Sequence, residues 1–258
     1  MRIPCIALVY FDFPIVKSAL DFLLSNAGRL SLSIVENPSP QTTPLIRPYI
    51  EEKLQQGLIE NYFLFDQNIS NNAFEIILDY LESTWTSPYV LVTDGDIKVD
   101  HTGWLDEQIT ILENCPEVFA CAVSLDMGNL PIKCFPEAGN WVPAPIDRGL
   151  YLEGDTGIHL TLFRTSDLKS FLSAKRENGW KLRDGYIHNY ARATGRKWAK
   201  TKLHHAIHLT WDAYGDLEHP YTKMKLSKSF DEIWNHNDYC SYQRFSRDAN
   251  SETGVLSD

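Results

Sequence analysis

The sequence predicts an α/β domain on a mainly parallel central sheet flanked by helices, with a mixed sheet in its second half. Three observations predict it. Short apolar runs alternate with segments of helical period through the first hundred residues. The run Tyr89-Val90-Leu91-Val92 stops abruptly at Asp94-Gly95-Asp96, and ligands in such sheets bind outside the carboxyl ends of the strands. Hydrophobic residues make up 43% of the 258 positions, enough for the core of one large domain.

Each element has its own signal. Ile3–Phe11 is a continuous apolar run and reads as the first strand. Pro14 suits the first turn of a helix whose face is Ile15, Ala19, Phe22 and Leu23. Leu30–Val35 reads as a second strand, ended by the breaker cluster Glu36-Asn37-Pro38-Ser39-Pro40. A helix over Leu45–Gln56 and a strand over Ile59–Phe65 follow. Ser70 is the expected N-cap of a helix over Asn71–Ser83, with Phe74, Ile77, Leu78 and Leu81 as its stripe. Tyr89–Thr93 then forms the strand that ends at the acidic pair.

In the second half, Gly103–Asn114 reads as a helix and Val118–Leu125 as a strand. Residues from about Met127 to Gly154 are rich in Pro, Gly and Trp without a period, and a loop this long in a compact domain is usually functional. Its aromatics Phe135, Trp141 and Tyr151 argue for an ordered acceptor-side loop or lid. Ile158–Phe163 is expected as a strand, Ser166–Lys175 and Asp184–Thr194 as helices, the latter stopped by Gly195. Lys202–Trp211 is the last expected strand. The tail from about Gly215 shows no pattern beyond Phe230–Trp234, and its end from Ser246 reads as frayed.

Composition excludes several classes. The net charge of −10 argues against a nucleic-acid binder. The five cysteines are odd in number and form no Cys-x-x-Cys pair, which favours reduced thiols in a cytoplasmic setting. No segment reaches the ~18 uninterrupted apolar residues of a membrane span. The apolar N-terminus lacks a basic leader and a small-residue cleavage site, so it reads as a strand and not a signal peptide.

The candidate chemistry begins at Asp94 and Asp96. Residues two apart on a strand point the same way, and paired carboxylates suit a hard divalent cation such as Mn²⁺ or Mg²⁺. Gly95 lets a phosphate or ribose approach the backbone; Asp and Gly also simply make turns. Three polar strand ends converge on one edge in such a sheet: Tyr10–Asp12, Glu36-Asn37 and Asp94–Asp96. In Leu203-His204-His205-Ala206-Ile207-His208-Leu209, strand alternation puts His205 with Leu203, Ile207 and Leu209 as a core histidine. His208 then lies on the polar face at the strand's end and is the first choice as a metal ligand, with His204 second. Asp184 opens a helix, where a carboxylate can be held toward a cleft as a general base; Asp155, behind a glycine, is the reserve. Lys175 to Lys202 forms a basic region that can steer a pyrophosphate or a phosphorylated lipid at a membrane surface, or be a solvated face.

At these residues the chain resembles a family 2-type glycosyltransferase of the GT-A fold. Ile34-Val35-Glu36-Asn37-Pro38-Ser39 is similar to the family's nucleotide-base segment, and Asn68-Ile69-Ser70-Asn71-Asn72-Ala73 to its helix entry. Val92-Thr93-Asp94-Gly95-Asp96 matches the metal motif. Gly154-Asp155-Thr156-Gly157 with Leu162-Phe163-Arg164 resembles the acceptor-side turn and strand. Arg183-Asp184-Gly185-Tyr186 resembles the entry to the catalytic helix. Three departures stand out: Glu36 replaces the commoner Asp, Pro38 replaces a usual Gly, and Arg183-Asp184 replaces a pair of acids.

The resemblance implies an inverting, metal-dependent transferase taking a sugar from a nucleoside-diphosphate donor, UDP first, to a glycan or lipid-linked acceptor. It implies Asp96, Asp94 and His208 at the cation, and Tyr10, Glu36, Asn37, Asn72, Asp94 and Gly95 around the nucleotide sugar. Asp184 becomes the base, with Asp155 in reserve. Residues 1–100 would be the donor half, 101–215 the acceptor half of the same domain, and 216–258 a C-terminal tail. The location implied is the cytoplasm, at the inner face of a membrane if the acceptor is a lipid. Two other readings use the same residues: a haloacid dehalogenase-type phosphatase with Asp94 as nucleophile and Asp96 as acid, and a sugar-nucleotide or glycan-binding module without turnover.

Overall fold

The computed structural model describes residues 1–40, 42–227, 240–246 and 249–256. Its strands are β1 (Ile3–Val9), β2 (Leu30–Glu36), β3 (Asn61–Phe65), β4 (Tyr89–Asp94), β5 (Ile97–Lys98), β6 (Val118–Leu125), β7 (Ile146–Asp147), β8 (Leu152–Glu153), β9 (Thr161–Arg164), β10 (Lys197–His208), β11 (Cys240–Ser246) and β12 (Ala249–Leu256). They form one mixed sheet in the order β12-β11-β3-β2-β1-β4-β9-β6-β10-β8-β7, with β5 on β10. The strands β3, β2, β1 and β4 run parallel, as do β6 and β10. β9 lies antiparallel between β4 and β6, and the β11–β12 hairpin is antiparallel to β3.

Parallel neighbours need crossover connections, and helices supply them. They are α1 (Phe13–Ser25), α2 (Thr43–Gln55), α3 (Asn72–Leu81), α4 (Trp104–Asn114), α5 (Thr165–Asn178), α6 (Asp184–Ala193), α7 (Thr210–Tyr214) and α8 (Pro220–Ser227). Strand alternation divides the core into two layers. Cys5, Ala7 and Val9 of β1 face α1, α2 and α4, through Leu20, Ile50 and Leu105 among others. Ile6 and Leu8 face the opposite layer, built from Phe74, Ile77 and Leu78 of α3, Phe171 of α5 and Ile187 of α6. Each Val, Leu, Ile or Phe among them contributes roughly 1.5–3 kcal/mol by leaving water. The two layers leave the carboxyl ends of β1 to β4 as a polar edge.

Local chemistry fixes the element ends. Asp12 caps α1 by accepting from the Ile15 amide at 3.0 Å, with Pro14 in the first turn. Arg164 gathers carbonyls at the C-terminus of α4 and the start of β6: it donates to Leu112, to Cys115 at 3.1 Å and to Val118 at 2.6 Å. A cation there satisfies orphan carbonyls and opposes the helix dipole.

Several expectations are corrected. Ser70 does not cap α3; it takes a left-handed φ of +53°, and Asn71 precedes the helix without a side-chain cap bond. The strand expected from Ile158 begins at Thr161, because Leu160 turns left-handed at φ +40°. β10 starts earlier than expected, at Lys197, and its pairing with β6 slips between Lys200 and His205. This bulge breaks the alternation assumed for the histidines: Leu203 is 77% exposed, and His205 is exposed while Ala206 is buried. Trp211 belongs to α7 and not to the strand. The tail is ordered into α8 and the β11–β12 hairpin; Phe230–Trp234 lies outside the described residues. All five cysteines are free. Among the described residues no helix is long and apolar enough to cross a membrane.

Candidate functional site

The polar edge is built first by β4. Asp94 ends the strand, paired in register with Leu8 of β1, and is half-buried. Gly95 turns back against β1, its amide donating to the Leu8 carbonyl at 2.6 Å. A Cβ there would lie 2.5 Å from Val9 Cγ1 and 2.7 Å from the Leu8 oxygen. The glycine therefore makes room for the neighbouring strand, where the sequence suggested room for a ligand.

Asp96 follows at the mouth of the edge. Its Oδ2 accepts from the Thr210 hydroxyl at 2.6 Å and lies 3.6 Å from His208 Nδ1. Its Oδ1 is buried and has no hydrogen-bond partner among the described residues. The Thr210 hydroxyl also stands 2.9 Å from His208 Nδ1. That hydroxyl has one proton, which goes to the carboxylate, so it accepts from Nδ1–H. In the neutral ring this fixes the tautomer, with the proton on Nδ1 and the lone pair on Nε2. The imidazole stacks on Trp211, centroids 4.8 Å apart at 3°, which fixes the ring plane. The His208 pair with Ile97 and the Leu209 amide bond to the Asp96 carbonyl lock β10 to this turn.

Sequence reading missed the roof of this edge. Tyr214 of α7 stacks on Tyr221 of α8 at 5.6 Å, and Tyr221 meets Tyr10 and Phe11 after β1. Burial first, then the charges of Asp96 and Asp94, push the Tyr214 hydroxyl up to about 12. His219 Nε2 lies 3.4 Å from Asp12 Oδ2, holding α8 to the start of α1. Aromatic residues spaced along Thr210–Tyr221 are the signal that was available.

Glu36 and Asn37, expected to meet a nucleotide directly, are spent inside the protein. Glu36 is fully buried, accepting from Thr43 Oγ1 at 2.6 Å and from the Tyr62 hydroxyl; desolvation raises its carboxyl above the usual range. Asn37 accepts from the Ile69 amide at 3.1 Å and donates to the Ser70 carbonyl at 3.0 Å, clamping the loop before α3. Tyr10 and Asn72 are half-buried at the same edge, Tyr10 bonded to Asn68. The three non-glycine residues with left-handed φ in the described chain, Phe11, Ser70 and Leu160, all flank this edge. Strain of this kind concentrates at ligand sites.

A second cluster lies around α6. Asp184 opens the helix half-buried, and desolvation raises its carboxyl to about 6 despite a backbone bond from Ile158. A Cβ on Gly157 would lie 3.6 Å from Asp184 Oδ2 and 3.4 Å from His159 Nδ1. His159 is buried, its Nε2 3.2 Å from the Val123 carbonyl; burial holds it down to about 3 and so neutral. Asp155 is 45% exposed and taken up by Arg192 Nη1 at 2.6 Å, with His188 Nδ1 at 3.6 Å. Of the two predicted carboxylates, Asp184 thus has the environment of a base and Asp155 that of a paired surface acid. His204, the second choice for the metal, is 2.6 Å from Glu107 and held on α4.

Among the described residues no three His, Cys, Asp or Glu side chains converge as a metal cage. The expected trio of Asp94, Asp96 and His208 is therefore a pair, Asp96 and His208. The pair fits a divalent ion that completes its shell from outside: Asp96 keeps a buried carboxylate oxygen without a partner among the described residues, and the His208 ring lies 3.6 Å from the same carboxylate. A nitrogen beside an oxygen favours Mn²⁺ over Mg²⁺. A separate cavity of about 690 Å³ lies at the opposite end of the strands, lined by Arg2, Ser31, Glu60 and Arg244, and contains none of the predicted residues.

No known family model matches the chain. Three uncharacterized proteins of Acanthamoeba polyphaga mimivirus are similar to it. One is 41% identical over 250 residues, covering 95% of this chain and 34% of that protein. The others are 38% identical, over 249 and 252 residues, and the match takes in 50% and 28% of their lengths. The chain spans half or less of each of these relatives.

Among solved structures, the mannosyltransferase PcManGT from Pyrobaculum calidifontis, in complex with GDP-Man and Mn²⁺, matches 90% of this chain and 67% of its own at TM-score 0.54 and 15% identity. TarS from S. aureus, in complex with UDP-GlcNAc, matches 80% of this chain and 58% of its own at TM-score 0.52 and 13% identity. The chain has a glycosyltransferase-like fold: one mixed sheet between two helical layers, its polar edge at the carboxyl ends of the parallel strands.

Proposed function

We propose that this chain is a metal-dependent glycosyltransferase that moves a sugar from a nucleoside-diphosphate donor, UDP first, to a hydroxyl of a glycan or lipid-linked acceptor, with inversion. One observation carries the reading: the buried Oδ1 of Asp96 has no partner among the described residues, and its carboxylate stands 3.6 Å from the His208 imidazole, at the edge where such folds bind nucleotides. The relatives by fold support a donor of this class, since PcManGT holds GDP-Man with Mn²⁺ and TarS holds UDP-GlcNAc.

Asp96 and His208 would hold the cation, with Thr210 orienting both. When bound, the ion supplies Lewis-acid neutralisation of the diphosphate leaving group. Asp94 stands beside it to meet the ribose or a bound water. The Tyr10, Tyr214 and Tyr221 rings close the edge above β1 and exclude water. Asp184 accepts the acceptor hydroxyl's proton: its raised pKa makes it a stronger base than an exposed aspartate while leaving it mostly ionised at neutral pH. Glu36 and Asn37 act one layer back, fixing the loops that shape the nucleotide's place.

A thermal-shift panel of UDP, GDP, CMP and dTDP, each with and without Mn²⁺, tests the reading. A ligand that binds the native state raises its apparent stability. Stabilisation by UDP only with Mn²⁺ is the expected result; stabilisation by GDP alone among the four would change the donor. Indifference to every nucleotide with Mn²⁺ present would defeat the proposal.

A further inference from the structure

Nine cations lie between Lys175 and Lys202, the basic region of the sequence. The fold gives six of them a carboxylate within 3.0 Å. Lys181 is exposed, and Arg183 has its own interactions. Lys200 differs from all of these. It is 3% exposed, and among the described residues its ammonium has no hydrogen bond and no carboxylate within 4 Å. Asp155 is the opposite charge acting on it, but that carboxylate is held by Arg192 at 2.6 Å. Its stem is covered while the ammonium keeps some contact with solvent, and partial burial lowers its pKa from the ordinary lysine range.

Its position gives the uncommitted charge a purpose. Lys200 sits mid-strand in β10 between Ala122 of β6 and Leu152 of β8. It shares a face with Trp198, the face that carries α6. The turn 154–157 crosses above it. A Cβ on Gly154 would lie 3.5 Å from Lys200 Nζ, and one on Gly157 would lie 3.6 Å from Asp184 Oδ2. One four-residue turn therefore spans an uncommitted cation at one end and the candidate base at the other. Asp96 and His208 take the diphosphate end of the edge, so this cation belongs to the acceptor side.

We propose that Lys200 is the anion-binding residue of the acceptor site, and that the acceptor carries a phosphate or carboxylate close to the hydroxyl that receives the sugar. The proposal rests on the glycosyltransferase reading above. The anion's oxygens accept from the ammonium while the adjacent hydroxyl is presented to Asp184.

The test is calorimetric. Glycerol 3-phosphate, glycerate and glycerol are titrated into protein saturated with the stabilising nucleoside diphosphate and Mn²⁺. The wild type is expected to bind one or both anions and not glycerol, the preferred anion identifying the acceptor's charged group. Lys200→Met should weaken that binding about tenfold or more, and Lys181→Met should leave it unchanged. Gly154→Ala, which keeps the charge and lays a methyl over it, should weaken it too, and it decides the matter if Lys200→Met does not fold. Equal binding by the variants, no anion binding by a wild type that binds nucleotide, or loss of nucleotide binding in its place would overturn the proposal. A wild type that binds the anions through Lys200 but no nucleotide would overturn the transferase reading and leave the anion site standing.

Discussion

The hydroxyl of Thr210 hydrogen-bonds the carboxylate of Asp96 across 2.6 Å, although 114 positions separate them in the chain. That bond joins the strand-end acid, visible in the sequence, to a helix the sequence did not announce. It orients Asp96, sets the tautomer of His208 and leaves Oδ1 without a partner among the described residues.

Thr210→Val is therefore expected to lower Mn²⁺ affinity in the presence of nucleotide roughly 10–100-fold, as for other groups that orient a metal ligand. Asp96→Asn should abolish measurable Mn²⁺ binding. Calorimetric Mn²⁺ titrations of the three proteins check this; a Thr210→Val protein that binds like wild type would show that the relay is incidental.

Asp184 gives the pH dependence. Its carboxyl is raised from 3.8 to about 6 in the folded chain. Transfer should rise with pH through about 6, as the base form appears, and level off above it. Stability runs the other way. The folded state binds this proton more tightly than the unfolded chain, so stability falls as pH rises from 3.8 through 6. Asp184→Asn should lose turnover yet gain about 1–3 kcal/mol at pH 7. Urea titrations at pH 4 and pH 7, beside initial rates from pH 5 to 8, read both signs.

Gly95→Ala tests the strand contact. Its methyl would meet Val9 Cγ1 at 2.5 Å and the Leu8 carbonyl oxygen at 2.7 Å, one of them rigid backbone. The expected loss is about 1–3 kcal/mol, typical of overpacking, with the acidic turn displaced from β1. A melting temperature within a degree of wild type would disprove it.

Lys175 shows how the basic region is used elsewhere. Its buried ammonium lies 3.0 Å from Glu75 and 2.7 Å from Asp79, tying α5 to α3. Lys175→Met strips Glu75 of its counter-ion, whereas Asp79 keeps Arg176. A loss of about 2–4 kcal/mol is expected, measured by chemical denaturation, with no change in nucleotide binding.

Much of this was legible. The run Tyr89–Asp94, the Pro14 helix start and the Phe74–Leu81 stripe are local signals, and local chemistry decides them. The likeness to nucleotide-sugar transferases was legible as order and spacing. Neither the bulge in β10 nor the roof was. Strand alternation assigned His205 to the core because it assumes an unbroken ladder, and three extra residues before His205 break that ladder. Glu36 and Asn37 looked like ligand contacts because polarity at a strand end is ambiguous until its partners, here Thr43, Tyr62 and Ile69, are placed. The C-terminal hairpin was missed because β11 acquires its meaning only from β3, 175 positions earlier, where Ser241 meets Asp66.

That hairpin has a consequence for any shortened version of the chain. Cys240–Ser246 supplies the outer neighbour of β3, pairing Tyr242 with Phe65 and Phe245 with Tyr62. Cutting the chain before Cys240 would bare the Asn61–Phe65 backbone together with the aromatic rings that Tyr242 and Phe245 shield. A naked, sticky margin of that sort recruits another molecule's strand, so self-association would be the first symptom of trimming, well before any fault at the polar edge became measurable.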